Sequence, residues 1–306
     1  MPEVSGAAIL GGQVLLVGDE TNQLGVASVP SLLAGSSGIA HAPLTGSLLS
    51  QFTSQMPIDD MEDVAADPVS SDVVWILTGH SPKKSWKKST QVLDSITRRQ
   101  LVRLEFEADG KTVKGASRLD IVPLIARVPA LAMALARDAQ VGGDEGSINF
   151  EGLAFDKSKS MYLGLRSPLA QKSAILLQVA SPEVLTADKR PADDQLTPKV
   201  IPLDLGGRGI RGMAADRVGE GLWILAGLSE NKDGAPTGDW DLYYRSRSGS
   251  LVKCEMSKPI RDVFQRVSVE VVAEVTRLDG TPGLLLVGDN DKGGPSPYVV
   301  IERPSV

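Results

Sequence analysis

Only one cysteine, Cys254, stands among the 306 residues of this chain. A single thiol permits no internal disulfide, so oxidative cross-linking is excluded as a source of stability. Because Cys254 lies in the segment SLVKCEM, we expect a packed thiol beside a strand.

Aromatic residues are also scarce, at 4% of the sequence, whereas the chain contains 31 glycines and 19 prolines. This composition is typical of many short strands joined by tight turns. A basic excess is missing as well, since the net charge is -6. Nucleic-acid binding requires a basic face, so we expect no nucleic-acid partner.

Long apolar segments are absent, because no run approaches the ~20 residues that span a bilayer. A signal peptide begins with a positively charged segment that is followed by an apolar segment. The first residues, MPEVSGAAIL, do not show this pattern. We therefore expect a soluble monomer without membrane contact, located in the cytoplasm unless a signal has been removed.

The motifs of several enzyme classes are missing too. The sequence has no G-x-S-x-G elbow, no P-loop, no dinucleotide-binding glycine pattern and no H-E-x-x-H. Nucleotide cofactors and zinc peptidase chemistry are therefore unsupported.

What the sequence does contain is a repeat. Five times a segment of small and aliphatic residues is followed, after a turn, by an apolar strand that ends in glycine or a polar residue. The copies read SGAAI…VLLVGDE, MEDVAAD…VVWILTGHS, FEGLAFD…MYLGLRS, IRGMAAD…LWILAGLS and VEVVAEV…GLLLVGDND. Three of the four gaps between copies are roughly 55 to 60 residues, in the range of propeller repeats.

This repeat predicts an all-β fold, a five-bladed β-propeller that spans residues 1–306 as one domain. The small first strands suit the crowded centre, and the apolar second strands suit burial on both faces. Third strands follow in every copy and fourth strands in three of them, so that the N-terminal residues are candidates to complete the last blade. A six-bladed propeller is the alternative, with a degenerate blade in residues 35–56 or in the enlarged gap.

The enlarged gap contains LDIVPLIARVPALAMALARDA, in which apolar residues recur at helical spacing and two prolines interrupt them. We predict two short helices inserted at about residues 119–139. They would cover a blade edge or one mouth of the central channel; a mobile lid over a site is the alternative.

Ionisable residues recur at two aligned points of the repeats. Because consecutive strands are antiparallel, the start of each first strand and the end of each second strand lie at the same end of the propeller. The strand starts are Ser5, Glu62, Glu151, Arg211 and Glu270, and the strand ends are Asp19, His80, Arg166, Leu228 and Asp289. Charges near the axis are costly to bury unless they pair or hold a ligand. Two interpretations follow: ion pairs such as Glu151 with Arg166, or Arg211 with Glu270, that pin the blades, and a ligand or catalytic site.

The site interpretation assigns a role to each residue. Glu151 would act as a base or cation ligand, His80 as a proton shuttle and Arg166 as a holder of negative charge. Alternatively, His80 bonds a backbone carbonyl in a turn. Carboxylates in GDNDKGG offer oxygens to Ca²⁺, the one metal cofactor that the sequence suggests. The ligand-binding residues would be Asp19, Glu62, Arg211 and Glu270, and the metal ligands Asp289 and Asp291.

Several segments together resemble a bacterial family of propeller proteins of unknown function. These are SGAA near the start, W-I-x-x-G-H-S, N-F-E-G-L-A with L-G-L-R-S-P-L and A-I-L-L-Q-V, and L-D-L-G-G-x-G-I-R. More distantly, E-G-L-A is similar to the phytase-like and esterase-like propellers. The resemblance implies a β-propeller and, for the phytase-like relatives, cation-assisted phosphoester hydrolysis at the channel mouth, although the dense acidic calcium array is missing here.

Taken with the ionisable residues, these observations predict a small-molecule ligand at one mouth of the channel. The protein would bind or hydrolyse a small anionic or ester substrate there, as a phosphoester, ester or lactone hydrolase if it is an enzyme. The alternative is a non-enzymatic binding or scaffold propeller for a small ligand or a peptide.

Overall fold

The structure, a computed structural model, describes residues 4–18, 24–29, 58–81, 97–110, 112–141, 147–180, 182, 185, 197–229, 239–265, 267–289 and 296–306. Strands dominate this part of the chain. They are β1 (Gly6–Leu10), β2 (Gln13–Val17), β3 (Gly25–Ser28), β4 (Met61–Ala66), β5 (Val73–Thr78), β6 (Gln100–Phe106), β7 (Val113–Asp120), β8 (Asn149–Phe155), β9 (Met161–Ser167), β10 (Ala174–Val179), β11 (Lys199–Leu203), β12 (Gly209–Ala215), β13 (Leu222–Gly227), β14 (Trp240–Arg245), β15 (Leu251–Cys254), β16 (Ser268–Thr276), β17 (Pro282–Asp289) and β18 (Tyr298–Glu302).

The strands form five antiparallel sheets, and each sheet is one blade. Blade 1 contains β1–β3, blade 2 β4–β7, blade 3 β8–β11, blade 4 β12–β15 and blade 5 β16–β18. The first strands of the blades, β1, β4, β8, β12 and β16, contact one another in a closed ring. The predicted five-bladed propeller is therefore confirmed, and the six-bladed alternative is wrong; residues 35–56, one suggested place for a sixth blade, lie outside the described residues.

Blades 1 and 5 each have three strands in the described part of the chain. The N-terminal strand β1 is the innermost strand of its own blade and pairs with β2. The expectation that N-terminal residues complete the last blade is thus wrong from Val4 onward. Ring closure instead depends on side chains, because Ala7, Val14 and Leu16 of blade 1 pack against Val271 and Leu285 of blade 5.

Each interface between neighbouring blades has its own apolar core. The second strands supply both faces of their blade, since alternate side chains point to opposite sides of a sheet. In β9, Leu163 packs toward blade 2, whereas Tyr162 packs toward blade 4. This two-sided burial explains why the second strands are nearly continuous apolar runs. Cys254 is a buried thiol of the core between blades 4 and 5, as expected, and burial raises its pKa to about 11.

The insertion between blades 2 and 3 forms helices α1 (Val122–Ile125) and α2 (Pro129–Val141), and a third helix, α3 (Lys258–Val263), follows blade 4. The apolar residues of the insertion belong to the core that Trp75 and Phe150 share between blades 2 and 3. They are Ile121, Leu124, Ile125, Val128 and Leu131. The insertion is therefore a packed cover of that interface rather than a mobile lid. Among the described residues, none of the helices has the length and hydropathy needed to cross a membrane.

The five innermost strands approach one another closely at the axis. A Cβ atom placed on Gly6 of β1 would lie 2.5 Å from the Cα atom of Asp63 in β4. A Cβ atom on Gly212 of β12 would lie 2.4 Å from the carbonyl oxygen of Glu270 in β16. Neither position has room for a side chain, so glycine is required where neighbouring inner strands touch.

The buried carboxylate of Asp63 ties three of these strands together. Its Oδ1 accepts the N–H of Val64 at 2.8 Å, and its Oδ2 accepts the N–H of Leu153 in β8 at 2.6 Å. The N–H of Met213 in β12 also bonds this carboxylate. Burial raises the pKa of Asp63 well above its usual range, and the three N–H donors oppose that rise. Blades 2, 3 and 4 are therefore joined at the axis by one side chain.

We expect Asp63→Asn to lower the free energy of unfolding by ~3 kcal/mol or more. The amide keeps the size of the side chain, but one of its two ends is a donor that faces backbone N–H groups and leaves them without an acceptor. Denaturant unfolding measures the change. The exposed Asp72 of the same blade is the matched control, and Asp72→Asn should change stability by less than ~0.5 kcal/mol. Equal effects of the two substitutions would contradict the role of Asp63.

Candidate functional site

A β-bulge interrupts four of the innermost strands at the same place. The register of each strand against its neighbour skips one residue, and the skipped residues are Glu62 in β4, Glu151 in β8, Arg211 in β12 and Glu270 in β16. At the same point of blade 1, the N–H of Ser5 bonds the carbonyl of Val17, the residue that pairs with Gly6. Bulges turn a side chain out of the strand alternation. The predicted strand-start residues are thus the bulge residues.

Glu151 is the centre of an ion-pair network that joins three blades. Its Oε1 accepts Nη1 of Arg166 at 2.8 Å and Nδ2 of Asn149 at 2.9 Å. Its Oε2 lies 3.1 Å from Nε of Arg211, close enough for an ion pair but outside hydrogen-bond geometry. Nη2 of Arg211 in turn pairs with Oε1 of Glu270. Both ion pairs expected from the sequence are present: Glu151 with Arg166 lies within blade 3, and Arg211 with Glu270 joins blades 4 and 5. The further pair of Arg211 with Glu151 joins blades 3 and 4.

The two arginines are buried together with an excess of acids. Arg166 also donates from Nε to the carbonyl of Leu228 at 3.2 Å. Burial lowers the pKa of Arg211 below its usual range and Arg166 acts in the same direction, whereas the carboxylates around Arg211 oppose the shift. We call this end of the channel the polar mouth; it comprises Glu62, Glu151, Arg166, Arg211, Glu270 and Asp289.

His80 ends outside this network. Its backbone has a left-handed conformation, with φ 64°, and its ring packs edge-on against Phe150 with 5.3 Å between centroids. The backbone N–H bonds the carbonyl of Arg98 at 2.7 Å, but neither ring nitrogen has a hydrogen-bond partner among the described residues. The interpretation of a ring bonded to a backbone carbonyl is therefore wrong. Burial lowers the pKa of His80 well below its usual range, and the charge of Arg99 adds to this.

Asn149 is a polar-mouth residue that the sequence patterns missed. It precedes the bulge of β8, and its Oδ1 is buried without a hydrogen-bond partner in the described part of the chain. A Cβ atom on Gly79 would lie 3.0 Å from this oxygen and 2.9 Å from Oε1 of Glu62. Asn149 and Glu62 therefore both lie beside Gly79, the residue that directly precedes His80. The only available signal was its place at the start of N-F-E-G-L-A.

A second polar group lies beside Gly79 and was also missed. Asp60, whose φ is 66°, accepts the hydroxyl of Ser81 at 3.1 Å and pairs with Nη2 of Arg98. The same guanidinium donates to the Ser81 hydroxyl at 3.2 Å. These residues flank β4 and β5 at the end where His80 lies, and they close the polar mouth on the side of blade 2.

A metal site is not formed by the described residues. No three or more His, Cys, Asp or Glu side chains among them are arranged to hold an ion. Asp289 is buried at the end of β17, where its charge acts on Arg211. Asp19 and Asp291, the other acids predicted at this mouth, lie outside the described residues.

Replacing Glu151 by Gln should lower the free energy of unfolding by ~3 kcal/mol or more, because two buried guanidinium groups lose the carboxylate that compensates them. The matched control is Glu220→Gln, since Glu220 also pairs with two cations but its side chain is 40% exposed. Surface pairs contribute ~1 kcal/mol at most. Thermal and denaturant unfolding of both variants measures the difference. A Glu151→Gln protein as stable as the control would refute a stabilising role of the ion-pair network between the blades.

The buried imidazole of His80 should make the protein less stable in mild acid. Because its folded-state pKa is lowered, the unfolded chain takes up a proton near its ordinary pKa of about 6.5 while the folded chain does not. Stability is therefore complete above that pH and falls below it, by up to ~1.4 kcal/mol per pH unit. His80→Asn, in a residue type that tolerates left-handed backbone, should remove this part of the loss. Stability curves of the two proteins that run parallel from pH 7.5 to 5.5 would show that His80 does not cause it.

Comparison with solved structures agrees with the propeller. A GH43 β-1,3-galactosidase with galactodeoxynojirimycin matches at a TM-score of 0.50 and 11% identity, over 98% of this chain and 89% of that chain. The soluble aldose sugar dehydrogenase of Escherichia coli matches at a TM-score of 0.47 and 14% identity, over 99% of this chain and 97% of that chain. The PQQ domain of pyranose dehydrogenase from Coprinopsis cinerea matches at a TM-score of 0.49 and 10% identity, over 99% of this chain and 93% of that chain. The similarity to the galactosidase supports only the propeller fold. No conclusion is drawn from the two dehydrogenases, because their TM-scores are below 0.5.

No curated protein matches the sequence. A family described as "Protein of unknown function (DUF3616)" matches residues 78–238, from the end of β5 to the segment before β14. The matched part is more than half of the 306 residues and contains His80, Asn149, Glu151, Arg166 and Arg211. The chain therefore belongs to the DUF3616 family.

Proposed function

We propose that the polar mouth binds a small polar molecule of the ester or lactone type. The observation that supports this proposal is a set of buried polar atoms beside the polar mouth that have no hydrogen-bond partner among the described residues: both ring nitrogens of His80 and Oδ1 of Asn149. Buried polar groups in proteins are almost always hydrogen-bonded, and leaving one unpaired costs ~1–3 kcal/mol. A ligand that offers donors and acceptors at this mouth would satisfy these atoms.

The charge balance of the polar mouth favours an uncharged ligand over an anion. Four carboxylates surround two guanidinium groups, so an added anion would meet net repulsion. The arginines are also engaged, because Arg166 and Arg211 both contact Glu151. An ester or lactone presents acceptor oxygens without a charge and does not require these ion pairs to break. Of the anionic and ester classes, the ester class therefore has the better support.

Hydrolysis of such a ligand is a second candidate function, and His80 is the residue that favours it. A neutral imidazole has one donor and one acceptor nitrogen, so it can accept a proton on one nitrogen and donate one from the other. Glu151 is a weaker candidate base, since both of its oxygens already face cationic partners. In this proposal water attacks the ester carbonyl carbon, and His80 takes the proton of that water and returns it to the alcohol oxygen as the acyl C–O bond breaks. Arg166 stabilises the negative charge that develops on the carbonyl oxygen, whereas Glu151 positions the arginines.

The test is a ligand screen with p-nitrophenyl acetate, glucono-δ-lactone and p-nitrophenyl phosphate, read by calorimetry and by product release. We expect the ester or lactone to bind more tightly than the phosphate. Asn149→Ala should weaken that binding about tenfold, the effect of losing one hydrogen bond of ~1.4 kcal/mol, and the exposed Glu220→Gln should leave it unchanged.

The variants also separate binding from turnover. Loss of product release in His80→Asn with binding retained supports hydrolysis, and binding without turnover in the parent supports a non-enzymatic binding protein. Equal affinity of the parent, Asn149→Ala and Glu220→Gln, or absence of binding to all three compounds, would contradict the proposed ligand class at this mouth.

A further inference from the structure

A cavity of about 440 Å³ opens at the end of the channel opposite the polar mouth. It is lined by the last residues of the innermost strands and by the turns that follow them. Arg211 lies near the start of β12 at the polar mouth, and Ala215 ends the strand at the cavity, four residues or about 13 Å further along. The volume falls within the ~300–1,000 Å³ of small-molecule sites. The cavity is therefore separate from the site that the bulges form.

The cavity lies where two of the innermost strands, β4 and β12, end in alanine. Four residues after each bulge position, the five blades carry Ile9, Ala66, Phe155, Ala215 and Glu274. The alanines leave space where larger side chains would meet at the axis, and Leu153 and Met213 add apolar surface deeper in the wall. Glu274 is the one charged member of an otherwise apolar ring.

Three aspartates at the rim of the cavity hold the turns and are not available as ligands. Each of these aspartates directly follows an innermost strand: Asp67 follows β4, Asp156 follows β8 and Asp216 follows β12. The Oδ1 atom of each accepts N–H groups of its own turn. Their Oδ2 atoms accept Nε1 of Trp75 at 2.8 Å, the hydroxyl of Tyr162 at 2.9 Å and the hydroxyl of Tyr244 at 2.8 Å. These repeated hydrogen bonds within the turns and to aromatic side chains account for the three aspartates as structural residues.

Glu274 has a different environment. Its Oε2 accepts the backbone N–H of Arg217 in blade 4 at 2.8 Å, whereas its Oε1 is a buried atom without a hydrogen-bond partner among the described residues. Burial raises the pKa of Glu274, and the charge of Asp216 adds to the rise. A buried acceptor of this kind calls for a donor, and the cavity that Glu274 lines is where one fits.

We propose that this cavity is a binding site for a small organic amine with an apolar body. The alanine-lined wall would bury the apolar body, and the ammonium group would donate to Oε1 of Glu274. A charge-assisted bond to a carboxylate is about twice as strong as a neutral one, and the net charge of -6 favours a cation over an anion. This proposal does not depend on the function proposed for the polar mouth.

The experiment titrates the protein with tryptamine and phenethylamine, followed by calorimetry and by chemical-shift changes of the alanine methyl groups. The matched compounds tryptophol, 2-phenylethanol and indole-3-propionate have similar apolar bodies but carry a hydroxyl or a carboxylate. We expect an amine to bind about tenfold more tightly than its alcohol and the carboxylate not to bind. Absence of saturable binding by both amines, or equal affinity for amine and alcohol, would overturn the proposal.

Two variants place the ligand. Glu274→Gln keeps an acceptor for the N–H of Arg217 but removes the charge, and it should weaken amine binding about tenfold. Ala215→Phe should abolish binding by filling the cavity, whereas Leu278→Phe, at an exposed position outside the cavity wall, should not change it. Unaltered amine binding in both Glu274→Gln and Ala215→Phe would show that the amine binds elsewhere. Neither substitution touches the polar mouth, so ester binding there should persist in both.

Discussion

The close approach of five inner strands around one axis is the constraint on which the rest of the structure depends. Glycines such as Gly6 and Gly212 permit the contact, and the carboxylate of Asp63 satisfies backbone donors from three blades where the strands meet. Since no disulfide is possible with one cysteine, the ring is held by these polar ties and by the five apolar cores between blades. The strands also divide the channel into two ends with opposite chemistry.

The polar mouth joins neighbouring blades through buried ion pairs. Bulges at a shared position bring Glu151, Arg211 and Glu270 together in pairs that join blades 3, 4 and 5. Burying these charges is costly unless they are compensated, so the pairs stabilise the ring mainly by compensating one another. The unpaired atoms of His80 and Asn149 have no such compensation within the described chain. In the proposed function, a ligand would provide it.

The sequence patterns predicted the blades well because two-sided burial of second strands imposes a composition that can be read directly. Alignment also found Glu62, Glu151, Arg211 and Glu270, since the bulge recurs at the same repeat position. His80 differs from these residues for a local reason: its left-handed backbone, with φ 64°, places its ring edge-on against Phe150. The role of Asp63 depends on Leu153, 90 residues away, and the cavity depends on small side chains that look like ordinary strand ends. Such features arise only when distant strands meet.

In the proposed function, a ligand bonds the buried ring nitrogens of His80 and Oδ1 of Asn149 beside the polar mouth. The most direct measurement is a crystal structure at a resolution that shows ordered solvent around His80 and Asn149. We expect a bound molecule, or ordered water, within hydrogen-bond distance of a ring nitrogen of His80 and of Oδ1 of Asn149. Direct bonds from these atoms to other protein groups, with neither solvent nor ligand between them, would contradict it and leave the charged network with a folding role alone.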